Sequence, residues 1–365
     1  MMKRRFEALD ILRGITVAFM CVVNNPGTWA KVYAPLRHAK WVGCTPTDLV
    51  FPFFVFCAGC AMAFSLAKYG SITRESAVKV LKRGVELFVV GLLLNAYPFN
   101  NLGHLRIFGV LQRIGMCYVL GGFIILGLHK DTRRLVTAVL ALFVLYTGVL
   151  LAFGQEPGAL TLEGNVSRSI DLAILGDAHI YHGYGIPFDP EGPLGTLTGS
   201  CTLILGFLAG SLARKSRKLH AMSPSDSTSP YATSAKLMLA GLALVASGRI
   251  LGIWIPICKP LWSASYVLYS GGWASAALGI LVYLIEVRQW RKPFGFARIM
   301  GTNALPAFVL SGLIAKTFRW TGWIPGKYFS ANEFTSLVYA LLFMGVIFFF
   351  QWLLYKRNPS LHNNC

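Results

Sequence analysis

Long apolar stretches alternate with short polar, basic or Gly/Pro-rich breaks along the whole chain. Each stretch is close to the roughly 20 residues that an α-helix needs to cross about 30 Å of hydrocarbon. The pattern therefore predicts an all-α polytopic membrane protein, a single bundle of about ten transmembrane helices. The predicted spans are 9–27, 47–67, 84–97, 107–128, 135–153, 195–213, 237–256, 264–285, 300–316 and 335–355.

The composition agrees with a location in a bilayer. The 365 residues are 55% hydrophobic and only 13% charged, with a mean hydropathy of +0.56, which is not the make-up of a water-soluble domain. Most of the eight cysteines lie within apolar runs and are interpreted as packing residues. Cys57 and Cys60 have redox-motif spacing but fall inside a predicted span, and no Cys/His cluster has zinc spacing, so we expect no metal.

The basic residues predict how the bundle sits in the membrane. The net charge is +19, which would suit nucleic acid, but 22 of the 34 Lys and Arg residues fall in loops on one side of the predicted spans and eight on the other. Because cytoplasmic loops are enriched in Lys and Arg, this distribution indicates an even number of spans with both termini cytoplasmic and no nucleic-acid partner. The first apolar run continues past any cleavage pattern and predicts a first span.

The whole chain, 1–365, is predicted to form one transmembrane domain. A Ser/Thr/Pro-rich segment within 214–236 is expected to be a mobile cytoplasmic linker between spans 9–213 and spans 237–355. The long outer connection 154–194 contains several apolar residues between its glycines and prolines, which favours an ordered periplasmic lid over a loose tether.

His38 is the leading catalytic candidate because it precedes a predicted span in an outer loop, where its imidazole can accept a proton near neutral pH. Asn24 or Asn25, at the end of the first span, could donate to a developing oxyanion. Asp48 could orient His38 or cap the second span. An interfacial histidine with a capping asparagine remains the structural alternative.

Charged residues near the other membrane face suggest contacts with a phosphate-bearing ligand. Arg106 and Arg113 are seven residues apart, which would place them on one side of the fourth span with Gln112 adjacent. Arg13 lies three residues after Asp10, so a local ion pair is its structural alternative.

The order of several motifs resembles the heparan-α-glucosaminide N-acetyltransferase family over nearly the whole chain. The motifs are LDILRG at 9–14, VNNPG at 23–27, HAKWVGCTPTDLVFP at 38–52, GVLQRIG at 109–115, LGDAHIY at 175–181, FDPEGPLGT at 188–196, KPLWSASY at 259–266 and GTNAL at 301–305. The resemblance implies a polytopic enzyme that transfers acetyl from cytoplasmic acetyl-CoA to a glucosamine amino group on the far side, with His38 as its catalytic histidine and Asn24 as the motif asparagine.

The charges and the expected sidedness also predict which residues contact the two substrates. Acetyl-CoA would be bound by Arg113, Gln112, Arg106, Arg13 and Asn303. The sugar would be bound by His179, Asp189, Glu191, Trp41 and Trp262. The animal enzyme of the family has a long luminal N-terminal extension that is not seen before the first span here, so we expect a multi-pass protein of a bacterial inner membrane.

Several alternatives remain open at this point. Direct transfer with His38 as general base competes with an acetyl-histidine intermediate, because imidazole is also a nucleophile. An amino-sugar transporter or an O-acetyltransferase acting on a surface glycan would show similar spans and charges. The expected partners are membrane lipid, an amino-sugar substrate and, as one option, a second copy of the chain.

Overall fold

The computed structural model describes residues 6–222 and 230–357, and within these ranges it is helical, with no β-strand. The helices range from eight to 27 residues in length. They are α1 Glu7–Asn24, α2 Val50–Ser65, α3 Arg74–Ala96, α4 Val110–Gly127, α5 Thr132–Phe153, α6 Val166–Leu175, α7 Thr196–Met222, α8 Pro230–Leu251, α9 Ala264–Val282, α10 Gly295–Thr302, α11 Ala304–Thr321 and α12 Glu333–Arg357.

Seven of the described helices are long and apolar enough to cross a membrane, and the bent pair α10–α11 would make eight. Helices α1 and α3 fall outside this count because they carry three and six charged residues, respectively. These helices indicate a multi-pass membrane protein. The figure of about ten spans and the cytoplasmic location of both termini stay predictions.

Some predicted boundaries differ from the structure. Helix α3 begins at Arg74, ten residues before the predicted span 84–97, because Thr73 caps it by accepting a hydrogen bond from the Ser76 backbone N–H at 3.2 Å. Of the predicted linker 214–236, residues 214–222 belong to α7 and 230–236 to α8. Residues 223–229 lie outside the described ranges.

Helices α2 and α7 are in close contact through small residues. Gly206 and Gly210 of α7 lie against the α2 backbone, where a Cβ at Gly206 would come within 2.0 Å of the Phe56 carbonyl oxygen. The predicted Gly206-x-x-x-Gly210 pattern therefore serves helix–helix packing. This pair forms the middle of the bundle, and α4 and α9 pack around it.

Two loops that lie far apart in sequence are joined at one end of the bundle. A parallel bridge links Gly43 to Cys258, and the Gly43 N–H donates to the Ile257 carbonyl at 2.7 Å. Gly43 has a φ of +109°, a conformation that side-chain-bearing residues rarely adopt. The Tyr266 hydroxyl of α9 donates to the Asp48 carbonyl at 2.7 Å. These contacts fix the loop that precedes α2 against the loop that precedes α9.

Candidate active site

A cavity of about 1070 Å³ opens at this end of the bundle, and we call it the histidine cavity. It lies between the end of α1, the start of α2, the loop before α9 and the lid, which comprises residues 154–194. The residues from the sequence prediction that line it are Asn24, His38, Trp41, Asp48, Arg106, Glu191 and Trp262. Residues from five separate parts of the chain therefore meet at one cavity.

His38 and Asp48 form a hydrogen-bonded pair in this cavity. The Nδ1 atom of His38 lies 2.7 Å from Asp48 Oδ1, and the Asp48 side chain is only 1% exposed whereas that of His38 is 42% exposed. The second oxygen, Oδ2, accepts the backbone N–H groups of Ala39 and Thr45 at 3.0 Å each. Asp48 thus both closes the loop and engages Nδ1, which leaves Nε2 of the ring for a substrate.

The structure separates the two neighbouring asparagines. The Asn25 side-chain amide donates to the Cys21 carbonyl at 2.9 Å and ends α1. Asn24 lines the histidine cavity, and its side chain makes no hydrogen bond to any described residue. Of the two, Asn24 is therefore the one placed to donate to a ligand.

Aromatic rings form one wall of the histidine cavity. Trp41 packs edge-on against Tyr184 and Phe188, with centroid distances of 6.0 and 5.4 Å, and its indole N–H donates to the Leu160 carbonyl. Trp262 also lines the cavity but is 1% exposed, and its N–H donates to the Thr202 hydroxyl. Trp41 presents a ring to the cavity, while Trp262 supports the floor.

The lid is held by an ion-pair cluster around Arg106. The Arg106 guanidinium donates to Asp189 at 2.7 and 3.0 Å and to Glu191, and it lies 4.3 Å from the centroid of the Tyr181 ring. Glu191 and Tyr181 line the histidine cavity. Asp189 is 2% exposed and does not line it, so this residue anchors Arg106 and is not placed to touch a sugar.

His179 was also expected to bind the sugar, but it lies away from the histidine cavity. Its Nδ1 atom is 2.8 Å from the Leu105 carbonyl oxygen, and its own carbonyl accepts the Ile107 N–H. These two contacts tie the lid to the segment that leads into α4. His179 is therefore a structural residue of the lid.

The expected pairing of Arg106 and Arg113 on one helical face is wrong, because α4 begins only at Val110. Arg113 is 1% exposed, donates to the carbonyls of Pro190, Glu191 and Gly192, and stacks over Trp262. Both arginines hold the lid. Neither is positioned for the phosphates expected at the opposite end of the bundle.

Gln112, another expected acetyl-CoA contact, is also committed to the protein. It is 1% exposed, and its amide donates to the Ile107 carbonyl at 2.9 Å. The Gln112 side chain packs against Gly91 of α3. A Cβ at Gly91 would come within 2.3 Å of the Gln112 side-chain oxygen, so the glycine allows α4 to lie close to α3. Gln112 therefore fixes the start of α4.

A buried carboxyl group lies within the lid. Asp171 of α6 is 0% exposed, and neither of its oxygens has a hydrogen-bond partner among the described residues. Gly192 passes so close that a Cβ there would lie 2.2 Å from Asp171 Oδ1. Burial raises the pKa of Asp171 to about 7, and the negative charge of Asp189 adds to that increase against the opposing charge of Arg113.

A second cavity, of about 690 Å³, contains the two remaining acetyl-CoA candidates, and we call it the basic cavity. Arg13 lines it while pairing with Asp10 at 3.4 Å, the local ion pair that the spacing predicted. Asn303 lines it at the 71° bend between α10 and α11. The Asn303 amide nitrogen is buried and has no hydrogen-bond partner among the described residues.

Three further cations line the basic cavity, all on α3: Lys79, Lys82 and Arg83. The predicted span 84–97 begins after these residues, so the sequence pattern places them in a loop. Their spacing of three and four residues places them on one helical face, which is the signal that could have identified them. The positive end of the α11 dipole, at Ala304 and Leu305, lies at the same cavity.

The two cavities meet along α2. Residues 47–54 of this segment line the histidine cavity, and residues 54–65 line the basic cavity. Phe54 of α2 and Phe308 of α11 are common to both linings. At about 1.5 Å per residue, Asp48 and Ser65 are separated by about 25 Å along the helix, so the cavities are stacked end to end in the bundle.

Comparison with known proteins gives the same family as the motifs. The family model described as "Heparan-alpha-glucosaminide N-acetyltransferase, catalytic" matches residues 5–169. The chain is 28% identical over 364 residues to human heparan-alpha-glucosaminide N-acetyltransferase and 26% identical over 362 residues to the mouse protein, in each case over 84% of this chain. The chain is therefore similar to the heparan-α-glucosaminide N-acetyltransferases. It spans about half the length of these relatives, 52% and 53%, respectively.

The histidine cavity also includes residues that the site prediction did not name. Lys259 touches both His38 and Asp48, while Glu163 and Tyr184 face the same space. Lys259 begins the KPLWSASY motif, so its presence in that motif was the available signal. Glu163 stands alone in a glycine-rich stretch and has no such signal.

Proposed function

We propose that this protein is a transmembrane N-acetyltransferase that moves acetyl from cytoplasmic acetyl-CoA to the amino group of a glucosamine-type sugar on the periplasmic side of a bacterial inner membrane. The observation that carries the proposal is that Phe54 and Phe308 line both cavities. A donor that enters one cavity and an acceptor in the other can meet there without either crossing the bilayer.

The donor fits the basic cavity for electrostatic reasons. Coenzyme A carries several phosphate charges, and the cations of α3 together with Arg13 and the α11 N-terminus offer positive charge in one place. The unpartnered amide of Asn303 suits an amide carbonyl of the pantetheine arm. The thioester at the end of that arm would pass Phe54 toward His38.

The acceptor fits the histidine cavity. Glu191 and Glu163 offer carboxylates to a sugar ammonium group and hydroxyls, and Trp41 offers an aromatic ring against a pyranose face. Of these three residues, only Trp41 lies on the loop that carries His38. The lid supplies both carboxylates, so closure of the lid and binding of the sugar would be coupled.

The chemical step uses His38 as general base. Nε2 removes a proton from the sugar amine while the amine nitrogen attacks the thioester carbonyl, which forms the C–N bond. Asn24 donates to the oxyanion, a contribution of about 3 kcal/mol in well-studied sites. Collapse of the intermediate breaks the C–S bond, and the thiolate of coenzyme A takes the proton from the imidazolium.

Proteoliposomes with acetyl-CoA inside and glucosamine outside test this assignment, provided that the protein is oriented with its basic cavity inward. N-acetylglucosamine should form outside only when both substrates are present. A transporter would instead move intact glucosamine without acetyl-CoA. An O-acetyltransferase would still modify N-acetylglucosamine, whose amine is blocked.

His38→Ala should abolish the product in the same vesicles, because no other group then lies at Nε2. His104→Ala is the matched control, since His104 is exposed outside both cavities and, among the residues that the structure describes, its side chain bonds only to Asn101. Radiolabelled acetyl that stays on the protein without sugar, and is lost in His38→Ala, would replace direct transfer by an acetyl-histidine intermediate.

A further inference from the structure

Lys259 lies directly beside the His38–Asp48 pair. Its Nζ is 3.1 Å from His38 Nδ1 and 3.3 Å from Asp48 Oδ1, and its side chain is only 22% exposed. His38 and Lys259 are 221 residues apart in sequence. The contact therefore depends entirely on tertiary structure.

The segment that carries Lys259 is fixed on both sides. Cys258 forms the bridge to Gly43, and its N–H donates to the Ser263 hydroxyl at 3.1 Å. Trp262 adopts a φ of +54°, and its ring packs 4.7 Å from the Phe51 ring of α2. A flexible surface lysine would not need these restraints, so the position of Lys259 is built into the fold.

Counting protons at Nδ1 defines what Lys259 can do. The 2.7 Å contact between Nδ1 and Asp48 requires one proton, which Nδ1 donates in the neutral ring. The same nitrogen then has no lone pair for the ammonium of Lys259. The lysine therefore acts on Asp48 by a hydrogen bond and on His38 by its charge alone.

The charges of Asp48 and Lys259 have opposite effects on the protonation of the imidazole. An isolated Asp48 carboxylate would favour the imidazolium, which is the wrong protonation state for a general base. The ammonium of Lys259 offsets that charge and disfavours a second positive charge 3.1 Å away. Asp48 can then orient the ring without also protonating it.

We propose that Lys259 is a positioning residue that keeps His38 neutral and poised as a base at neutral pH. This inference rests on the proposed acetyl transfer, which it deepens. Lys259 does this by binding the same Asp48 carboxylate oxygen that His38 contacts, and it need not contact either substrate.

Other charged groups lie near His38 or line the same cavity. Arg37 on the histidine loop donates away from the ring, to the Val32 carbonyl at 2.7 Å. Arg106 is occupied by Asp189 and Glu191. The remaining titratable groups that line the cavity around the ring are Lys40, Glu163, Tyr181 and Tyr184. Among the described residues, Lys259 is the cation that contacts both His38 and Asp48.

The test compares Lys259→Met, which removes the charge, with Lys259→Arg, which retains it. Two pH profiles are measured on purified protein: kcat/KM for acetyl transfer, and the rate at which diethyl pyrocarbonate modifies His38, followed by mass spectrometry of the His38 peptide. The reagent attacks only neutral imidazole, so this second profile needs no catalysis. Lys259→Gln provides a second neutral variant, and size-exclusion chromatography checks folding.

Both neutral variants should move the acid limb of each profile to higher pH by about one unit, and Lys259→Arg should restore it. A uniform loss of rate with unshifted profiles would overturn the inference and leave Lys259 with a structural role. If wild-type protein transfers no acetyl at all, the proposed function fails, while the modification profile still decides the role of Lys259.

Discussion

The Asp48 carboxylate binds His38 with one oxygen and the backbone of the His38 loop with the other. The same residue thus orients the imidazole and shapes the segment that presents it. Because the carboxylate is almost fully buried, it has few other partners to exchange with. The pair therefore defines the ring nitrogen that faces the substrate.

Asp48→Asn should lower kcat/KM by about 10- to 100-fold, the usual effect of losing the group that orients a functional histidine. The amide can still accept the loop N–H groups, so the fold should persist. Steady-state kinetics combined with thermal melting in detergent separates the two effects. A change of less than twofold would mean that Asp48 only caps the loop.

Asn24→Ala should reduce kcat on the order of 100-fold, with little effect on KM, if its amide stabilises the oxyanion. Asn25→Ala is the matched control, because that amide donates to the Cys21 carbonyl and does not line the histidine cavity. Equal losses in the two variants would point to disturbance of the α1 terminus and not to catalysis.

Phe54→Trp should slow acetyl transfer on the order of tenfold, because a larger ring at the junction of the cavities displaces the thioester from His38. Phe53→Trp introduces the same ring one residue away, where it lines neither cavity. Glucosamine binding, measured by calorimetry, should be unchanged in both. If the Phe53 variant slowed transfer equally, the passage would not lie at Phe54.

Asp171→Asn should flatten the pH dependence of stability. The folded-state pKa of about 7 exceeds the ordinary value of 3.8, so the folded protein holds the extra proton between these values. Wild-type stability should therefore fall as the pH rises toward and through 7. At pH 8 the variant should be more stable by about 4 kcal/mol, since the folded and ordinary pKa values differ by about three units and each unit corresponds to about 1.4 kcal/mol.

Thermal melting between pH 5 and pH 8 measures this difference. Asp177→Asn provides the control, because that carboxylate is exposed on the same lid. Wild-type and Asp171→Asn curves with the same slope would show that Asp171 stays charged within the lid.

The fold class followed from the apolar pattern, because crossing a bilayer demands long helices whatever their packing. The pairing of His38 with Asp48 could also be predicted from the sequence, because the two residues are only ten positions apart and Asp48 lies at a helix start. Their common role in one cavity with Trp41 and Glu191 came from the motif resemblance. Local spacing could not have supplied it.

Other features depended on tertiary contacts that no local pattern encodes. Arg113 looked available for phosphate, yet three lid carbonyls occupy it. Lys79 looked like a loop residue, yet α3 begins before it. Lys259 meets His38 only because the Gly43–Cys258 bridge aligns two distant loops.

The shared rings of Phe54 and Phe308 limit what can travel between the ends of the bundle. In the proposed transfer the acyl arm passes two apolar rings, and such surroundings disfavour a charged nucleotide or a hydrated sugar. The protein would then pass the acetyl group from one compartment to the other, while coenzyme A and the sugar each stay in their own compartment. Cells could then label external sugars with cytoplasmic chemical energy while keeping the membrane sealed to larger metabolites.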